Sequence, residues 1–142
     1  MAELLEMRKI EIDASKLDEE LSTQASQYLF VAERAVEAEA RYLAGKLQHE
    51  TVVAKLDGII RAKFDSEGKK MTEKIVENAI ILDATYQSSA KLLGTLRTQK
   101  EAVRALRESW YMRKDLLIRM AINQRAEIEG LTGDVLKMSE AA

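Results

Sequence analysis

Two groups of cations carry spacing that chemistry could use. The first is Arg61-Ala62-Lys63-Phe64, followed by Lys69, Lys70 and Lys74 across a segment that contains Gly68. A basic turn with one aromatic offers phosphate contacts and a ring face for base stacking. The plainer reading is that Phe64 plugs the end of a helical hairpin and the lysines are solvated. The second group is Arg97, Lys100, Arg104, Arg107 and Lys114, three or four residues apart with Tyr111 in the one gap. On a helix these residues form a single stripe. Pairing of Arg97 with Glu101 and of Arg104 with Glu108 is worth only about 0.2–0.5 kcal/mol each, too little to keep the arginines from phosphates. The stripe could equally be a solvated flank that keeps a coiled coil soluble.

Catalytic constellations are not visible. The sequence has no Ser/His/Asp or Cys/His arrangement, no glycine-rich phosphate loop and no His/carboxylate cluster at ligand spacing. Cysteine is absent and His49 is the single histidine, so no metal site or cofactor is expected, and His49 reads as a helix-surface or seam residue. An enzyme is not expected.

The elements that would hold the cations are helices. The chain has no proline, few aromatics and abundant Ala, Leu, Glu, Lys and Arg, a composition of long helices and coiled coils. Its periodic centre runs from Leu92 to Arg125. With Leu96 at position a, Val103, Trp110 and Leu117 follow at a; Leu92, Leu106 and Met120 fall at d, with Gln99 and Arg113 as polar exceptions. A seven-residue repeat keeps one seam toward a partner helix. Residues 1–15 form an N-terminal segment of short amphipathic character with no clear cap, and the sequence assigns it no element. Ser15 with Asp18 resembles a helix-start signal, and a first helix is expected over 16–64 with the stripe Leu17, Leu21, Ala25, Tyr28, Ala32, Val36, Ala40, Leu43, Leu47. Asp65 to Lys70 reads as a turn, Thr72 caps a short helix to Leu82, and Asp83 caps a second long helix over 83–129. Gly130 and Gly133 should end it, leaving 130–142 as a flexible tail. The fold class is therefore all-α, a single domain over 1–142 built as a long, coiled-coil-like helical hairpin with a short connecting helix. Two helices do not enclose a core, so the seam residues Leu92, Leu96, Val103, Leu106, Trp110, Leu117 and Met120 are expected to pair with other copies in a homo-oligomer.

Net charge is −2, which alone argues against a nucleic-acid partner. The distribution argues otherwise: residues 1–58 hold 12 acids and 7 bases, whereas 91–125 hold 9 bases and 3 acids. No apolar run approaches the roughly 20 residues of a membrane span, and Glu3, Glu6, Arg8 and Lys9 make the start unlike a signal peptide. A soluble cytoplasmic protein is expected.

Several short stretches resemble a known family. They are Ile12-Asp13-Ala14-Ser15-Lys16-Leu17, Ile60-Arg61-Ala62-Lys63-Phe64-Asp65, Thr72-Glu73-Lys74, Asp83-Ala84-Thr85-Tyr86 and Arg125-Ala126-Glu127. In this order, over roughly residues 10–130, they resemble the UvsY-type recombination mediators of tailed phages. The resemblance implies a small ring-forming protein that binds single-stranded DNA. Such a protein helps load a strand-exchange recombinase onto DNA coated by single-strand-binding protein. It places the family's DNA-contacting basic pair on Arg61 and Lys63, and oligomerisation in the C-terminal region. From a different class, the alternative is a structural or chaperone-like coiled-coil phage assembly protein with no nucleic-acid role.

Overall fold

The computed structural model describes residues 2–141. Met1 and Ala142, at the outer ends of the expected segments 1–15 and 130–142, lie outside the described residues. The chain is 90% helical, and no strand occurs among the described residues. Four α-helices follow in order: α1 (Ala2–Glu6), α2 (Leu17–Ser66), α3 (Glu73–Leu82) and α4 (Ala84–Ala141), with a 3-10 turn at Ala14–Lys16 leading into α2. No helix among the described residues is long and apolar enough to cross a membrane.

Local chemistry explains most of the boundaries. Asp13, rather than Ser15, caps the entry to α2. Its Oδ1 accepts from the Ser15 amide at 3.0 Å and the Ser15 hydroxyl at 2.6 Å, so the hydroxyl is occupied as a donor. Asp18, Glu19 and Glu20 then fill the first turn of α2, where negative charge meets the positive end of the helix dipole. At the other end Gly68 adopts φ +64°. The Lys69 amide donates to Phe64 O and the Gly68 amide to Asp65 O, each at 3.1 Å. This pair of reversed bonds with a left-handed glycine is a Schellman stop. Thr72 Oγ1 accepts from the Ile75 amide at 3.3 Å to start α3. Asp83 closes α3 through its own amide to Ile80 O and opens α4 through Oδ1, which accepts from the Thr85 amide at 2.8 Å.

The expected end of the last helix is corrected. Gly130 and Gly133 do not stop α4, which continues to Ala141. A glycine costs roughly 1 kcal/mol in a helix interior, but it terminates one only when it turns left-handed, and Gly68 is the one described glycine that does so.

The described residues gather into two compact units. The hairpin unit, Arg34–Val103, contains the later part of α2, all of α3 and the start of α4. Here α2 and α4 run antiparallel, as cross-contacts show. Glu39 and Tyr42 meet Lys100, Gly45 meets Leu96, and His49 Nδ1 lies 2.7 Å from Ser89 Oγ with its ring 5.1 Å from Tyr86. His49 is thus a seam residue. A Cβ at Gly45 would sit 2.5 Å from Leu96 Cδ1, so the missing side chain is what allows Leu96 to reach the α2 backbone. Val76 and Ile80 of α3 are buried.

The terminal unit joins residues up to Glu33 with those from Arg104 onward. Its core holds Leu17, Gln24, Val31, Trp110, Arg113 and Leu117. On α2 the buried positions Leu17, Gln24, Val31 and Ala38 recur every seven residues. The expected α2 stripe takes longer steps than this repeat and drifts around the helix, which leaves Val36, Leu43 and Leu47 exposed. The seam of α4 is corrected in part as well. Trp110 and Leu117 are filled by the chain's own residues and are closed to another copy, because the N-terminal segment and α2 supply the core that two bare helices could not.

Candidate nucleic-acid interface

The cations around the turn of the hairpin unit divide into occupied and open ones. Arg61 is occupied. Its Nε donates to both oxygens of Asp57 at 3.1 and 3.0 Å, one turn back on α2. Its Nη1 and Nη2 grip Glu73 of α3 at 3.1 and 2.7 Å in a bidentate fork. The two carboxylates push the guanidinium pKa up, and Arg61 holds the Glu73 carboxyl below its ordinary value. The side chain therefore clamps the first turn of α3 to the end of α2. A phosphate would have to displace one of two carboxylates to use it. Lys69 is also paired, 2.7 Å from Glu67, whose pKa it lowers.

Lys63, Lys70 and Lys74 are exposed, and among the described residues none has a carboxylate within ion-pair distance. Phe64 is half-buried at the same end, between the two roles its position suggested. The basic residues expected at the turn all lie at this end of the hairpin unit, where Arg61 and Lys69 are held by carboxylates and Lys63, Lys70 and Lys74 are not within ion-pair distance of one among the described residues.

The ridge on α4 also divides. In the hairpin unit, Lys100 is half-buried. Its Nζ sits 4.1 Å from the centre of the Tyr42 ring and 3.8 Å from Glu39, so it ties α4 to α2. Arg97 lies 5.9 Å from the same ring. The expected Arg97–Glu101 pair is replaced by Lys100–Glu101 at 3.5 Å. In the terminal unit, Arg104 pairs with Glu108 at 3.4 Å as expected. Arg107 stands beside Tyr28, Tyr111 and Met112 at a cleft. Of the remaining seam residues, Leu96, Val103, Leu106 and Met120 are half-buried and Leu92 is exposed.

Sequence reasoning missed the polar centre of the terminal unit. Arg113, 4% exposed, donates from Nε to Ile10 O at 2.9 Å, from Nη2 to Glu11 O at 2.9 Å and from Nη1 to Gln24 Oε1 at 2.8 Å, and forms an ion pair with Glu20. Gln24 Nε2 donates to Trp110 O at 2.7 Å, and Trp110 Nε1 donates to Met7 O at 2.9 Å. The guanidinium lies 4.8 Å from the Trp110 ring centre. These bonds strap the non-helical segment around residues 7–11 onto the core. The signal was present in the repeat itself, since Arg113 stands at a d position and Gln24 midway between Leu17 and Val31.

Among the described residues no group of His or carboxylates is gathered to hold a metal ion. Compared with known proteins, the chain matches no family model, no curated protein and no solved structure.

Proposed function

We propose that the chain is a non-enzymatic, single-stranded-DNA-binding recombination mediator of the UvsY type. It would act as a homo-oligomer, in ring form, in the cytoplasm of the host cell and help a strand-exchange recombinase load onto DNA coated by single-strand-binding protein. The observation that supports this reading best is the set of exposed lysines, Lys63, Lys70 and Lys74, at the end of the hairpin unit, none within ion-pair distance of a carboxylate among the described residues. The Arg61 clamp ties together the helix ends that carry Lys63 and Lys74, so the spacing of that pair is set before a strand arrives, and Lys70 stands in the connection between them. Three phosphate contacts per subunit are weak alone, and repetition around an oligomer multiplies them.

The test is fluorescence anisotropy with a labelled oligo-dT over a range of salt, beside light scattering for mass. Binding should weaken steeply with salt. Lys63→Ala with Lys70→Ala and Lys74→Ala should flatten the log–log slope by about 2, at roughly 0.7 per lost single-strand phosphate contact, with mass unchanged. A chain that ignores the oligonucleotide at low salt sinks the reading.

One feature favours the second reading, a structural coiled-coil protein with no nucleic-acid role. Ile128, Leu131, Val135 and Met138 recur at coiled-coil spacing along α4 and are all exposed. That face serves the homo-oligomer of the first reading equally, so the oligonucleotide assay separates the two.

A further inference from the structure

We propose that the cleft around Tyr28 and Tyr111 in the terminal unit is a nucleobase-stacking site, with Arg107 and Lys114 holding the phosphates on either side. This rests on the single-stranded-DNA reading and assigns it a second contact region, made of terminal-unit residues alone. Tyr28 comes from α2 and Tyr111 from α4; their ring centres are 6.3 Å apart and the planes meet at 56°. The rings are tilted rather than stacked on each other. Tyr111 remains 53% exposed although its neighbours in sequence, Trp110 and Arg113, supply the buried core.

Space opens on both sides of the pair. A cleft of about 390 Å³ lies between the two rings and Arg107, and one of about 300 Å³ lies on the side of Lys114 and Ile118. Cations flank both. Glu108 also lines the first cleft and pairs with Arg104 at 3.4 Å, while Arg107 has no carboxylate within ion-pair distance among the described residues. Lys114 Nζ rests 4.3 Å from the centre of the Tyr111 ring, with Asp115 at 3.9 Å. Both are loose surface contacts that a phosphate can replace.

The spacing on α4 suits an extended strand. Arg107, Tyr111 and Lys114 are four and three residues apart, so cation, ring and cation follow one another along a single helical face. Alternation of charge with an accessible aromatic is the arrangement by which single strands are bound without sequence preference: phosphates meet cations, and any base can use a ring face. A groove made to receive a helix from another protein would not need a cation at each end of its tyrosine pair. The charge complementarity favours a polyanion.

The experiment uses the full chain with 5-iodouracil-substituted oligo-dT. Cross-links are mapped by mass spectrometry, and anisotropy titrations are run on the wild type, Tyr111→Ala and Tyr111→Phe. Cross-links should fall on Tyr28 or Tyr111. Tyr111→Ala should weaken binding about tenfold, the scale of one lost base stack, with the salt slope unchanged, and Tyr111→Phe should restore it. Cross-links confined to Phe64, with Tyr111→Ala binding normally, overturn the site while the lysine-based reading stands. A wild-type chain that binds no oligonucleotide removes both, and that result precedes any variant. A drop in mass for Tyr111→Ala by light scattering assigns the cleft to contacts between copies and also overturns the proposal.

Discussion

Arg113 decides how the terminal unit closes. Its guanidinium satisfies two backbone carbonyls, an amide oxygen and a carboxylate in a nearly solvent-free site. Lysine has three donors on a flexible stem and does not reproduce a planar fork. Arg113→Lys is therefore expected to destabilise the unit by roughly 3 kcal/mol, the loss of one to two charge-assisted bonds. Trp110 is the single tryptophan, so its emission reports the change directly in a urea titration. The same cluster sets a response to acid. The hydrogen bond from Arg113 holds the Glu20 carboxyl below its ordinary value, and Ser15 does the same for Asp13 nearby. A carboxylate whose pKa is lowered on folding contributes stability in full above its unfolded pKa, near 4.5 for Glu20, and loses it as pH falls through the lowered value. Trp110 emission should thus hold steady down to about pH 4.5 and shift red below it. In Glu20→Gln the red shift should be weaker and the neutral-pH stability lower. A profile identical to that of the wild type would remove Glu20 from the strap.

The helices were legible in the sequence where their ends depend on residues within three or four positions. Thr72, Asp83 and the turn at Gly68 are such cases, because a cap is local chemistry between a side chain and nearby amides. Interior packing was harder to read. The α2 seam is carried by Gln24, Ala35, Ala38 and Gly45 as much as by large apolar residues, so a search for Leu and Val follows the wrong face. The strap before α2 has no periodicity at all, and only the polar exception at Arg113 marks where it lands. Two glycines on α2 now separate by environment. A Cβ at Gly58 meets nothing within 4 Å, so Gly58→Ala should stabilise by about 1 kcal/mol through helix propensity alone. At Gly45 the same gain is opposed by displacement of Leu96, an overpacking cost of about 1–3 kcal/mol. Thermal melts should place Gly58→Ala above the wild type and Gly45→Ala below it. Equal gains at both positions would show that Leu96 does not rest on the α2 backbone.

At the scale of the whole molecule, the two units differ in the sign of their net charge. The hairpin unit, Arg34–Val103, carries 12 bases against 10 acids, whereas the rest of the chain carries 10 against 14. Most of the salt dependence of a strand contact should therefore come from the hairpin unit, with the tyrosine cleft adding stacking and the smaller share carried by Arg107 and Lys114. The last part of α4 raises a separate problem. From Ile122 to Ala141 every residue but the half-buried Gly133 is exposed, and the segment includes a second glycine, Gly130. A helix of some 20 residues without a packed face is marginal in water, and each glycine lowers it by a further ~1 kcal/mol. What stabilises it under the proposed assembly is a second copy laid along Ile128, Leu131, Val135 and Met138, whose alternating three- and four-residue steps suit a coiled coil. Helicity should then depend on concentration. Circular dichroism on dilution should lose the signal of this stretch in step with the fall in mass by light scattering. Leu131→Lys with Val135→Lys should abolish both at all concentrations, while Trp110 emission keeps its wild-type position because the core around Arg113 lies elsewhere on α4. A double variant that stays as large and as helical as the wild type would show that copies meet on a different face, and the exposed Val36, Leu43 and Leu47 stripe of α2 would be the next to substitute.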